Sequence, residues 1–124
     1  MMTLKRSECA ILSLVLKRKW FEMIAAGKKR EEYRMDTKYW RIRLMRWGIV
    51  ASPGILPVVE FRLGCAANAP RMAFAANEVA SFYSRLYYRR VFTIHPEWGE
   101  PEDPHFAISL ACRVNLLPES EVSK

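Results

Sequence analysis

Residues 27–34 read Gly-Lys-Lys-Arg-Glu-Glu-Tyr-Arg, six charged side chains in eight positions. Read as a turn opening a strand, residues 30–35 alternate. Glu31, Tyr33 and Met35 point one way; Arg30, Glu32 and Arg34 point the other. Glu32 and Arg34 then share a face and lie close enough to pair. Lys29, at the head of the strand, can bring its ammonium into the same space. A carboxylate among several cations has its pKa lowered, which suits anchoring or orienting a ligand and makes a poor general acid. The stretch is therefore expected to line a functional cleft. A solvated, charged edge strand would have the same composition.

These residues need elements to hold them. Residues 10–16 form an apolar run short enough for a buried strand, which Lys17-Arg18-Lys19 interrupts. From Trp20 the pattern becomes helical, with Trp20 and Ile24 four apart on one side. Gly27 follows as a left-handed residue just past the helix end, and the helix carbonyls favour the positive charge of Lys28 and Lys29 there. Asp36-Thr37 is an N-cap signal for a second helix. Within 38–47, Trp40, Leu44 and Trp47 make a stripe read as core packing, residues 40–44 also alternate as a strand would, and Gly48 is expected to end the element. Residues 51–57, with Pro53, Gly54 and Pro57, read as a loop.

The remainder reads as β. Strands are expected over 58–63, with Glu60 and Arg62 facing away from Val59 and Phe61, over 71–83, over 91–94, and from Phe106 to Leu110. Residues 84–90 read as a hairpin arm or a basic-aromatic loop, and 95–104, rich in proline and acids, as a surface loop. Residues 1–9 are taken as a flexible terminus and 118–124 as a polar tail around one domain at 10–117. Five or six strands with two short N-terminal helices give an α+β fold, a small β-barrel that removes exposed sheet edges.

A chain of 124 residues with 51% hydrophobic content supports one domain with a real core. No apolar run approaches the ~20 residues that span a bilayer, and no signal peptide is read. Cys9, Cys65 and Cys112 are far apart, with no Cys-x-x-Cys pair. They read as reduced, mostly buried thiols of a cytoplasmic protein, with no metal site and no cofactor. His95 and His105 are given surface roles. The formal charge of +7 is one-sided. Residues 1–50 carry 13 Lys and Arg against 5 Asp and Glu, whereas residues 51–124 carry 7 against 8. Such a field favours a polyanionic partner.

The pattern Gly27-x-Lys29-x-x-Glu32-x-Arg34 resembles the G-x-K-x-x-E-x-R signature of ASCH domains, in the PUA-like superfamily. The flanking strand, the helix bearing Trp20, Ile24 and Ala26, and the closing Pro96-Glu97-Trp98-Gly99 and Phe106–Leu110 stretches resemble small phage and bacterial members. The similarity spans residues 10–117. It implies a PUA-like β-barrel with a cleft between barrel and helices, lined by Lys29, Glu32 and Arg34 with Gly27 shaping the turn. It also implies RNA or a nucleotide-like ligand. Some small relatives are amidohydrolases that use a Lys, a Thr three residues later and a distant Glu. Here Glu32 stands where the Thr would be, and Thr37 is too far along, which argues against that chemistry.

The first expectation is an RNA- or nucleotide-binding module using Gly27, Lys28, Lys29, Glu32, Arg34 and Arg41. The alternative is a hydrolase, a ribonuclease or modified-nucleoside amidohydrolase, with Lys29 as base or nucleophile, Glu32 beside it, and Glu60 or Glu78 as a second carboxylate. A third possibility makes Tyr87-Tyr88-Arg89-Arg90 and the Trp98 loop a protein-contact surface. Oligomeric state is not encoded in any motif.

Overall fold

The structure is a computed structural model, which describes residues 1–51, 55–76 and 89–117. Over these residues it is α+β, with two α-helices and one mixed seven-stranded sheet. In chain order the elements are β1 (Met2–Leu4), β2 (Cys9–Leu16), α1 (Arg18–Ala25), β3 (Glu31–Met35), α2 (Lys38–Val50), β4 (Leu56–Leu63), β5 (Arg71–Ala76), β6 (Arg89–Arg90) and β7 (His105–Leu116). The strand path runs β1-β7-β5-β4-β2, and β3 and β6 also pair with β7. β7 is thus the spine, antiparallel to β3, β5 and β6 and parallel to β1. Among the described pairings none closes the sheet into a barrel.

Period-two burial drives β2. Ala10, Leu12, Leu14 and Leu16 point into the core, while Ser13 and Val15 face out. Its eight residues run parallel to β4, in register from Cys9 opposite Leu56 to Leu16 opposite Leu63. The main core gathers those β2 residues with Ile24 of α1, Leu44 and Trp47 of α2, Val59 and Phe61 of β4, and Phe106 and Ile108 of β7. A smaller cluster on the other sheet face holds Val58, Ala73, Ala75 and Val114. Trp47 is tied down twice over, by burial and by donating its indole N–H to the Ala10 carbonyl at 2.8 Å.

Several elements differ from expectation for identifiable reasons. Gly48 does not end α2; it lies inside, buried, and the helix continues to Val50. Packing there outweighs the roughly 1 kcal/mol that glycine costs a helix. β4 starts at Leu56, inside the expected loop. Residues 91–94 form no strand. The Ile94 N–H goes to the Glu100 carboxylate at 2.7 Å, and the Thr93 hydroxyl to the Pro101 carbonyl at 2.8 Å, in place of a ladder. Met2–Leu4 is a strand where the sequence suggested none. Of the expected strand 71–83, Arg71–Ala76 is seen and 77–83 falls outside the described residues, as do 84–88 and the tail 118–124. Cys65 and Cys112 are exposed and Cys9 half-buried, contrary to the reading of buried thiols. His105 is fully buried, contrary to its assigned surface role. No helix among the described residues is long and apolar enough to cross a membrane.

Phe61 is completely buried at the centre of the main core. Phe61→Ala is expected to lower unfolding free energy by about 3–5 kcal/mol, read from the urea midpoint by far-UV circular dichroism.

Candidate functional site

The turn after α1 is where the site begins. The Gly27 N–H bonds the Ile24 carbonyl and the Lys28 N–H bonds the Met23 carbonyl, the paired bonds of a Schellman ending. Gly27 supplies the required φ of 76°. The reversal points Lys29 inward, and it is 2% exposed. Its ammonium donates to the Trp98 carbonyl and sits 3.2 Å from Glu32 Oε1. It also lies 4.7 Å from the Trp20 ring and 4.5 Å from the Tyr33 ring. Burial pulls the Lys29 pKa below its ordinary value; Glu32 opposes this, and Arg34 adds to it.

Alternation along β3 puts Glu32 and Arg34 on the same side, as expected. Arg34 Nη1 donates to Glu32 Oε2 at 2.6 Å and to the Tyr33 carbonyl at 2.7 Å. Nη2 reaches the Val15 carbonyl at 3.4 Å, and the guanidinium lies 5.2 Å from the Trp40 ring. On that same ring sits Arg43, at 5.0 Å, which also donates to the Ser13 carbonyl at 2.9 Å. Beside them lies an open cleft of about 390 Å³. Its walls are Val15, Leu16, Lys17, Trp20, Trp40 and the Trp98-Gly99 turn; Lys29, Glu32, Tyr33 and Arg34 complete it.

The residues singled out from sequence divide cleanly. Lys29, Glu32 and Arg34 converge on the cleft. Gly27 shapes the turn but lines a separate hollow with Arg30 and Cys112. Lys28 is exposed beside α1, next to Arg18 and Lys19. Arg41 is turned to Asp36 at 2.8 Å, away from the cleft. Glu60 lies on the opposite sheet face with Val58, where Arg6 grips it with two bonds of 2.9 and 3.0 Å. Those bonds, against the cost of burial, hold its carboxyl below the usual range. Glu78 falls outside the described residues.

The 91–104 loop is more than a surface connection. Arg90, at the end of β6, bridges Glu31 and Glu100, with 2.9 Å contacts to both. Glu100 is 5% exposed, and it accepts from the backbone N–H groups of Ile94 and His95 as well. The His105 ring lies between two acceptors, Glu100 Oε2 at 2.6 Å and the Asp103 carbonyl at 2.7 Å. Burial alone would raise the Glu100 pKa. Its bonds to the His95 N–H, His105, the Ile94 N–H and Arg90 overcome that and hold it at about 2. On the β3 side, burial and the neighbouring Glu31 push the Tyr33 phenol up, so its hydroxyl stays protonated and donates to Glu31 at 3.1 Å. This network fixes the loop on β3 and β7, and so fixes Trp98, whose ring also stacks on His95 at 3.9 Å.

The sequence reading missed Lys17, Trp20 and Trp40 as lining residues, because helical spacing assigned the aromatics to core. It also missed the Glu31–Arg90–Glu100–His105 network. The signal for the loop was present in Pro96-Glu97-Trp98-Gly99, a large aromatic beside a glycine. Of the proposed protein-contact segment, Arg89 and Arg90 are engaged internally by Asp36, Glu31 and Glu100, and Tyr87 and Tyr88 lie outside the described residues.

No family model matches the chain, and no curated protein or solved structure does so either.

Two measurements probe the site's construction. Gly99 has φ 79°, and a Cβ there would fall 2.5 Å from Trp20 Cζ2. Gly99→Ala is expected to cost more than the ~1–2 kcal/mol of left-handed strain alone and to shift tryptophan emission. Glu100 has a folded pKa below the ordinary 4.5, so its contribution is complete above about 4.5 and disappears as pH falls toward about 2. Glu100→Gln is expected to cost about 3 kcal/mol at pH 7. The gap from wild type should close between pH 4.5 and 2 in urea titrations run across that range.

Proposed function

We propose that the chain is an RNA- or nucleotide-binding module of the ASCH, PUA-like kind, with its ligand seated in the Trp-lined cleft. The observation that carries this reading is the convergence of Lys29, Glu32 and Arg34 with Trp20, Trp40 and Trp98 in one open cleft. Cations there attract phosphate, and aromatic walls take a base whatever its sequence. The excess of basic residues in the first half of the chain adds long-range attraction. A PUA-like barrel is part of the proposal. Its support is the twelve-residue β7, which serves strands on both edges, and the register irregularity between Phe74 and Ala76. A cytoplasmic setting also belongs to this reading, supported by three cysteines that are all free thiols.

The hydrolase alternative asks the Lys29 nitrogen to face a substrate. That nitrogen instead serves the Trp98 carbonyl, Glu32 and two aromatic rings. Lowered basicity alone does not make it a nucleophile, and nothing in the cleft favours catalysis over binding.

Fluorescence titration with short single-stranded RNA tests the binding. Affinity should fall with salt at a log–log slope of about −0.7 per phosphate contacted. Trp98→Ala should weaken binding by about 1–3 kcal/mol. Binding that ignores both salt and Trp98 would overturn the proposal.

A further inference from the structure

The cleft's size, charge and open donors specify its ligand more narrowly. Resting on the reading that the cleft takes a nucleotide, we propose that it recognises a single nucleotide through a phosphate monoester, gripped by Arg34 and Lys17, with the nucleoside ring toward the tryptophan-lined wall.

Size comes first. At about 390 Å³ the cleft falls in the lower part of the ~300–1,000 Å³ range of small-molecule sites. It is concave, whereas reading a duplex calls for an element that enters a groove about 12 Å wide. One nucleotide unit is what fits.

Charge comes second. The lining residues carry three cations, Lys17, Lys29 and Arg34, against one carboxylate, Glu32, for a net +2. Glu32 is 4% exposed and flanked by Lys29 and Arg34, so its charge is neutralised inside and does not face the mouth. An internal phosphodiester brings a single negative charge. A phosphate monoester brings about −1.5 to −2 near neutral pH, which matches the lining.

Donor geometry comes third. Lys29 is fully occupied and gives a ligand nothing directly. Arg34 differs. Its Nη1 is committed to Glu32 and the Tyr33 carbonyl, Nη2 makes only the 3.4 Å contact with Val15, and Nε makes no hydrogen bond to any described residue. With 18% of its side chain exposed, the Nε–Nη2 edge is an open fork of the kind that takes two phosphate oxygens at once. Lys17 is exposed and makes no ion pair with any described residue, so its ammonium is free to take the third oxygen.

The shared chemistry has two sources, a free nucleoside monophosphate or the phosphorylated end of a strand. Isothermal titration of the full chain would compare a nucleoside, its 5′- and 3′-monophosphates, inorganic phosphate, and a pentaribonucleotide with and without a phosphate at either end. One of the monophosphates should bind about tenfold tighter than both the nucleoside and inorganic phosphate. Lys17→Gln, an exposed change that leaves the fold intact, and Arg34→Gln should each erase most of that preference. An equal advantage for the end-phosphorylated strand identifies a strand end as the ligand; an advantage confined to the mononucleotide identifies the free metabolite. If the nucleoside equals its monophosphates, or if the unphosphorylated strand equals the phosphorylated ones, the monoester inference fails while nucleotide binding stands. Inorganic phosphate binding as tightly as a monophosphate removes the ring from the site and overturns the inference too. No binding by any probe removes both the inference and the function beneath it.

Discussion

A buried ammonium must be met on every side, because an unpaired charge out of water costs more than a small domain can supply. Lys29 imposes that demand here. Its neighbours come from three separate parts of the chain. Trp20 belongs to α1, Glu32 and Tyr33 to β3, and the Trp98 carbonyl to the loop before β7. Satisfying one cation therefore draws together a helix, a strand and a loop. The cleft is the space left where those three meet.

The same logic extends behind the cleft wall. The 91–104 loop places little in the core, for Val91, Phe92 and Ile94 are exposed. What holds it is polar. Glu100 collects two backbone N–H groups, an arginine and a histidine, and Arg90 passes the connection on to Glu31. Burial works against the Arg90 charge, yet its two carboxylates more than compensate and raise its pKa. Such networks give up part of their gain to desolvation, but breaking one member leaves the others stranded. They suit a loop that must hold one position, as the wall of a cleft does.

How much of this was legible in the sequence depends on distance along the chain. Local periodicity placed β2, α1 and the shared face of Glu32 and Arg34, and Asp36-Thr37 announced the start of α2, each of which depends on residues a few positions apart. Gly27 was recognisable because only a left-handed residue continues that turn. Contacts set by the fold were not legible. Nothing near Arg90 in sequence announces Glu31, 59 residues away, as its partner in a buried network, and nothing near Lys29 announces the Trp98 carbonyl 69 residues away. Trp40 shows the limit of pattern reading. Its spacing with Leu44 and Trp47 is that of a core residue, yet it lies at the edge of the stripe, half-buried beneath two guanidinium groups.

Those guanidinium groups have a second consequence. β2 ends the described strand path, and a terminal strand offers its main-chain groups to any other chain that could extend the sheet. Arg43 occupies the Ser13 carbonyl and Arg34 the Val15 carbonyl, so two cations stand guard along that border. Arg34 therefore serves both the sheet border and the cleft. A substitution at Arg34 reaches both places, whereas one at Arg43 opens the border and leaves the Arg34–Glu32 pair in place.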